Sequence, residues 1–400
     1  MSAGTIFSLY ASFSIYKEFI MSKRKIILPT IVFLGIVFIL ACTSDKAGDE
    51  KTKEVIFGRE MLDPAPDTDG KINILLYYDM EGISGQDNIW SIDFGNEEYF
   101  EAREWLTNDV NAVIEGLCAG GADKIDVVDA HGSFNPEPDI LLDKMDSRAQ
   151  MFYKDEPFRP YVDLVEEGKY DAIVLVCMHS KTGGGGFASH TVNMGMDWIL
   201  NDMSINETEI FAYSWGRARV PVIFCSGDDK LAEQLSWMTW LEYVTVKTAK
   251  GADDAELRPT AEVHEEMRAG ATRAVQNISQ SKAVLLTEPI KARLRAVPPA
   301  DLSLFENIPG IDYSDQTVTF MAADFMEAYD GMRGLMSAAQ SGYFQLMFGV
   351  LFQSESGQEV FNNFKKEFFS LWADVESGRW KPPSPAEKPA TTKKKYFGST

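Results

Sequence analysis

The chain has 400 residues, a hydrophobic share of 45% and a formal net charge of −22. That length supports a large core and more than one domain. The charge excludes nucleic acid as a partner, because nothing in such a balance neutralises a run of phosphates; it reads as a well-solvated acidic exterior.

The first 42 residues read as a leader rather than as fold. Lys23, Arg24 and Lys25 form a basic cluster, Ile26 to Ala41 run apolar, and Cys42 follows at once. A basic stretch, a short apolar stretch and a small residue at the cut mark a secretory signal. The run falls short of the ~20 residues that span a bilayer comfortably. Its end, Ile39-Leu40-Ala41-Cys42, resembles a bacterial lipobox, with Leu40 where a small residue is more usual. That resemblance implies a lipid on Cys42, which then becomes the mature N-terminus. The expected location is extracytoplasmic, lipid-anchored to a bacterial membrane. An uncleaved anchor helix is the other reading. Met21 opens the signal cleanly, so residues 1–20 read as an over-extended start. Residues 43–71, rich in Lys, Asp, Gly and Pro, read as a tether.

An alternation of strands and helices follows. INILLYYD, 72–79, is a buried strand, and residues 97–118 place Tyr99, Ala102, Leu106, Val110, Val113, Ile114 and Leu117 at helical spacing. Further strands are KIDVVDA at 124–130, YDAIVLVCM at 170–178 and VPVIFCS at 220–226. Short apolar runs joined by helices imply parallel strands with right-handed crossovers. Residues 254–278 read as helix, 283–290 and 316–323 as strands, and 325–376 as helix rich in Phe and Met. The fold class is therefore α/β, an open, mostly parallel sheet with flanking helices plus a smaller α+β region. The organisation is a metal-binding α/β domain at 72–230, an α+β region at 231–342, a helical extension at 343–380 and a disordered tail at 381–400. Cys118, Cys177 and Cys225, an odd number in apolar patterns, read as buried free thiols.

The chemistry gathers at strand ends. The first strand ends with Asp79 and Glu81, two apart and so on one side of an extended backbone. The second ends with Asp129 and His131, the third with His179. Ligands of open parallel sheets bind outside the carboxyl ends of the strands. Two carboxylates and two imidazoles delivered there fit zinc, or a pair of zincs sharing one carboxylate.

These residues and several further blocks resemble the DppA-type zinc D-aminopeptidase family. Its opening signature, a strand leading into DMEGISG, stands at Asp79 to Gly85; its D-x-H is Asp129-Ala130-His131, followed by Asn135. The strand-end histidine is matched by His179, the glycine-rich loop closing on S-H by GGGGFASHT, which gives His190, and the N-D-x-x-x-N-E block by NDMSINE, which gives Glu207. A strand ending in G-D-D and the block AADFMEAYDGM complete the likeness, which covers about residues 72–342. The resemblance implies two zinc ions per subunit held by Asp79, Glu81, His131, His179 and Glu207, with Asp79 bridging and His190 as the catalytic acid or base. It assigns no metal role to Asp129 or His264. It implies an aminopeptidase acting on short peptides with an N-terminal D-residue; outside the cytoplasm, D-alanyl fragments of cell-wall peptides are a natural source. Family members form large rings, so a homo-oligomer is an expected partner, constrained by a lipid on every subunit. The competing reading is a non-catalytic peptide- or metal-binding lipoprotein serving a transporter, which has no need of six such residues in order.

Overall fold

The computed structural model describes residues 54–381, apart from 57, 67–68, 134, 154–158, 160 and 166–168. The signal segment, Cys42 and the tail beyond 381 lie outside the described residues. Every described element belongs to one compact unit, Glu54–Thr400.

Two short strands, β1 (Glu54–Ile56) and β2 (Arg59–Leu62), open the described chain. Then come β3 (Asn73–Tyr78), helix α1 (Glu97–Gly120), β4 (Lys124–Asp129), the short β5 (Gln150–Met151) and β6 (Ala172–Met178), the four strands all belonging to the main sheet. From Ile74 to Tyr78 every residue is buried, as is all of β6, so neither strand alternates. Strands covered on both faces read as continuous apolar runs for this reason. The strands β7 (Met196–Leu200) and β8 (Met203–Ser204) form a hairpin before helix α2 (Glu207–Gly216), and β9 (Val222–Asp228) returns to the main sheet ahead of α3 (Asp229–Leu235).

The main sheet continues with β10 (Glu242–Ala249) and β11 (Ala255–Leu257), and α4 (Thr260–Gln276) packs back against α1. Its strand order is β11-β10-β9-β6-β3-β4-β5. All neighbours are parallel except the β10–β11 hairpin. Aliphatic side chains of α1 and α4 cover one face of this sheet. The other face packs on α2 and a second sheet. That second sheet is antiparallel, built from β7, β8, β13 (Ile290–Ala296), β14 (Asp312–Ser314) and β15 (Thr317–Ala322) in the order β14-β15-β13-β7-β8. A third, small sheet joins β1 and β2 to β12 (Ala283–Leu286).

Three details differ from the sequence reading. Residues 254–278 are not one helix, because β11 precedes α4. Proline at 259 pushes Arg258 toward extended backbone, so the strand must finish before the helix begins. Residues 283–290 are not one strand: β12 and β13 are separate and lie in different sheets. The boundary drawn at 230 does not separate the sheets either. The main sheet takes β10 and β11 from beyond it, and the antiparallel sheet takes β7 and β8 from before it.

Helix α5 (Phe325–Ala339) packs its Phe325, Tyr329, Met332 and Met336 into the core, whereas α6 (Ser341–Gln353) and α7 (Glu355–Glu376) bury only Gly357. Cys177 and Cys225 are buried, Cys118 is partly so, and all three are free thiols. Among the described residues no helix is long and apolar enough to cross a membrane.

Candidate metal centre

The registers Tyr78↔Asp129 and Tyr78↔Val176 bring the carboxyl ends of β3, β4 and β6 together. The chain does not stay extended after β3, as the spacing of Asp79 and Glu81 suggested. It turns at once, and the turn folds back on the end of β6: the Gly82 amide donates to the Cys177 carbonyl at 2.8 Å. A Cβ at Gly82 would lie 2.2 Å from the Met178 carbonyl oxygen, so only glycine lets the two loops approach this closely. Asp79 and Glu81 still converge on one point, but the turn aims them.

At that point four more side chains meet. The His131 Nδ1 lies 2.9 Å from Asp79 Oδ1 and 3.3 Å from Glu81 Oε2. The His179 Nε2 lies 3.5 Å from both Asp79 Oδ2 and Glu207 Oε1. The His190 Nε2 lies 3.9 Å from Glu81 Oε1 and from Glu207 Oε1. The rings of His179 and His190 stack with centroids 4.1 Å apart. Three trios have donor atoms close enough to share an ion: Asp79-Glu81-His131, Asp79-His179-Glu207 and Glu81-His179-His190. The first two have Asp79 in common.

Each imidazole is oriented by its second nitrogen. His131 Nε2 faces the Ile92 carbonyl at 2.7 Å, His179 Nδ1 the Ser180 carbonyl at 3.0 Å, and His190 Nδ1 the Ala188 carbonyl at 2.8 Å. A proton on each of those nitrogens leaves the other one to face the centre with its lone pair, the arrangement that metal-ligating histidines adopt. The His179 Nε2 is buried and has no hydrogen-bond partner, an orphaned acceptor of the kind that an ion satisfies.

Glu207 is the first residue of α2, whose N-terminus is fixed by a capping box between Asn206 and Glu209. Its Oε2 accepts from the Tyr161 hydroxyl and its Oε1 from the Val192 amide, each at 2.6 Å. Val192 adopts φ +62°, a conformation costly for a β-branched residue. Asp129 stands behind His131: it accepts from the His131 amide at 3.0 Å and from the Tyr78 hydroxyl at 2.7 Å. It lies outside the three trios.

Burial and the Glu81 charge push Asp79 up to about 8. Burial opposes charge on Glu207 too, but His179, His190 and the Tyr161 hydroxyl overcome it and hold Glu207 down to about 2. Burial likewise works against protonation of His179, yet Glu207, Glu81 and Asp79 lift it to about 10. His190 goes the other way, lowered by burial and by the neighbouring His179. Protons held by Asp79 and His179 balance the buried carboxylates of this cluster, and a bound cation would take the place of those protons.

The loop carrying His190 is packed rather than loose. A Cβ at Gly186 would lie 2.2 Å from Ser180 Oγ and 2.3 Å from Asp228 Oδ2, and Asp228 accepts from the Phe187 amide at 2.9 Å. A buried lysine ties this loop to the one after Glu81. Lys247 donates to the Gln86 side chain at 2.7 Å and sits 4.1 Å over the Phe187 ring. Burial pushes its amine down to about 7. The fourth histidine, His264, lies in α4 and meets Asp109 at 2.7 Å, away from the centre. The sequence reading missed Tyr161, Val192 and Lys247, and no local pattern in the sequence marks any of the three.

Convergent carboxylates and imidazoles beside a histidine with a free nitrogen serve metal-assisted hydrolysis. Fold and centre thus define an enzyme of the metallohydrolase class. Comparison with known proteins narrows it. The family model described as D-aminopeptidase matches residues 72–334, and the chain belongs to that family. A curated D-aminopeptidase of Bacillus subtilis (strain 168) is 26% identical over 285 residues, which span 65% of this chain and 95% of that protein. Among solved structures, the zinc-dependent D-aminopeptidase DppA from Bacillus subtilis, described as a self-compartmentalizing protease, matches with a TM-score of 0.61 at 23% identity. That match covers 67% of this chain and 98% of the other.

Proposed function

We propose that this chain is a zinc aminopeptidase that removes N-terminal D-residues from short peptides, with two zinc ions per subunit. The observation that carries the two-ion reading is Asp79, the one carboxylate common to the trios Asp79-Glu81-His131 and Asp79-His179-Glu207. The donor set fits zinc in kind, imidazole nitrogen and carboxylate oxygen, and the orphaned His179 Nε2 fits it in placement. Asp79, Glu81, His131, His179 and Glu207 are the proposed ligands, with Asp79 bridging. Zinc bound there supplies a water of lowered pKa and polarises the scissile carbonyl.

The chain's own residues do the rest. His190, lowered in pKa and with Nδ1 on the Ala188 carbonyl, presents a neutral Nε2 beside the cluster, where it takes a proton and returns it to the leaving amine. Tyr161 and the Val192 amide fix the Glu207 carboxylate so that it cannot swing. Lys247 joins the loops that carry Glu81 and His190 and keeps their spacing.

The lipobox-like Ile39 to Cys42 supports a lipid-anchored, extracytoplasmic enzyme, for which D-alanyl fragments of cell-wall peptides are the proposed substrates. The self-compartmentalizing character of the DppA structure supports a homo-oligomer. Zinc per chain, measured alongside hydrolysis of paired D-alanyl and L-alanyl peptides, tests the reading. Two ions and a preference for the D-peptide are expected; a zinc-free enzyme or an L-preference refutes it.

A further inference from the structure

Strand β2 alternates: Arg59 and Met61 are buried, Glu60 and Leu62 only partly so. A strand with one face on a core turns every second side chain inward, and at the first of these positions the chain carries an arginine. A guanidinium in such a place has to be paired. Arg59 finds its partners on α2. Its Nη2 donates to Glu209 Oε1 at 2.5 Å and its Nε to the Tyr213 hydroxyl at 2.7 Å. The Trp237 ring covers the guanidinium, 4.1 Å from its carbon. Arg59 precedes residue 72, where the match to the family begins, so the blocks shared with that family do not account for it.

The segment that delivers Arg59 is fixed to the body at several points. It pairs with β12, Arg59 standing opposite Leu286. The Gly58 carbonyl accepts from the Thr287 amide at 2.8 Å, and the Ala65 amide donates to the Arg219 carbonyl at 2.9 Å. The Asp63 carbonyl accepts from the Arg219 guanidinium at 2.7 Å. Strand β12 in turn lies against α2: a Cβ at Gly216 would sit 1.8 Å from the Val284 carbonyl oxygen, so only glycine allows the approach. Arg59 is therefore held from behind by a strand on which the helix itself packs.

The start of that helix matters to the metal centre. Glu209 closes the capping box: its Oε2 accepts from the Asn206 amide at 3.1 Å, and the Asn206 side chain accepts from the Glu209 amide at 3.0 Å. Glu207 follows Asn206 directly. One carboxylate thus faces the cap with one oxygen and Arg59 with the other. Without the guanidinium it is an uncompensated buried charge, and the cap that fixes the Glu207 backbone loses its hold.

We propose that Arg59 is a positioning residue for the metal centre: through Glu209 it sets the start of α2 and so the reach of Glu207. The strap ahead of the family domain is then a working part of the enzyme. This inference rests on the proposed role of Glu207 as a zinc ligand. Groups that stand behind a ligand govern metal affinity by about 10–100-fold.

The test reads zinc retention in the full-length protein by competition with a chelator, with kcat on a D-alanyl peptide and the urea midpoint alongside. In Arg59→Met one of the two ions should be lost about 10–100-fold more readily while the other is held as in the parent, and excess zinc should restore the lost kcat. A packing role alone would lower the midpoint without separating the two ions. The double variant Arg59→Met, Glu209→Gln removes both charges and keeps an oxygen for the Asn206 amide, so it should regain the parent's affinity. Unchanged retention in Arg59→Met overturns the proposal, as does a double variant as weak as the single one. If Arg59→Met does not fold, Arg59→Lys decides. Its ammonium keeps the charge but lacks the fixed fork that reaches Glu209 and Tyr213 together, so one ion should weaken by less than about tenfold; unchanged retention again overturns the proposal. A parent that binds no zinc sinks the peptidase reading and this one with it. A parent that holds two ions beside an indifferent variant sinks this inference alone.

Discussion

Gly82→Ala tests the turn that aims the carboxylates. The added methyl would sit 2.2 Å from the Met178 carbonyl oxygen, 2.5 Å from the Cys177 carbonyl carbon and 2.7 Å from the Cys177 oxygen. All three are backbone atoms of the strand end that leads into His179, so no side chain can swing aside. A normal contact requires about 1 Å of separation between the Asp79–Glu81 turn and the end of β6. That shift breaks the 2.8 Å Gly82–Cys177 hydrogen bond and widens the 3.5 Å approach of His179 Nε2 to Asp79 Oδ2. Forced overpacking costs about 1–3 kcal/mol, and misplacing a catalytic group by 1 Å costs on the order of 10²-fold in rate. The assay is zinc per chain by elemental analysis, kcat on a D-alanyl peptide and the unfolding midpoint in urea. Lowered zinc occupancy, a rate reduced about 10²-fold and a modestly lowered midpoint are expected. Normal zinc and normal kcat in a folded variant would refute the claim that this close approach sets the geometry of the centre.

Asp79→Ala should remove most of the bound zinc, because both ligand trios built on Asp79 lose a member; near-normal zinc would remove it as the bridge. His190→Ala should keep the metal and lose turnover by about 10²–10⁴-fold. If zinc is lost instead, the trio Glu81-His179-His190 is a binding site and His190 a ligand. For Lys247→Met the readout is pH. The folded-state amine is pushed from 10.5 to about 7, so between those values the unfolded chain holds a proton that the folded one does not. Stability of the parent relative to the variant should therefore rise as pH increases from about 7 toward 10, by roughly 1 kcal/mol per unit, and the relative gain should vanish as pH falls below 7. Urea unfolding at pH 6, 8 and 9.5 checks it, and parallel stabilities of the two proteins across that range would contradict the buried-amine account.

What could be read from the sequence follows from how far apart the cooperating residues are. Asp79, His131 and His179 were legible because each stands at or just beyond the end of a short, mostly apolar run. Parallel strands must present their carboxyl ends on the same edge, so local pattern and global topology say the same thing. Glu207 and His190 sit on a helix start and a loop, where period carries no information; they were found only through the blocks shared with a family. The second sheet was misplaced because the five-residue β7 pairs on one side with the two-residue β8 and on the other with β13 more than ninety positions later, and no local period records a partner so distant. Tyr161, Val192 and Lys247 escaped for the same reason. A hydroxyl 46 residues before Glu207 or an ammonium 161 residues after Gln86 becomes a partner only when the chain closes. The glycines of 183–186 carry a different ambiguity. A run of four reads equally as freedom or as close packing, and Gly186 is glycine because Ser180 and Asp228 leave no room for a side chain. Glycine in a sequence signals either mobility or contact, and only the neighbours decide which. Here they decide for contact, so the position of His190 is set by packing, and its chemistry has to be argued from a fixed Nε2 rather than from a loop that travels to meet the substrate.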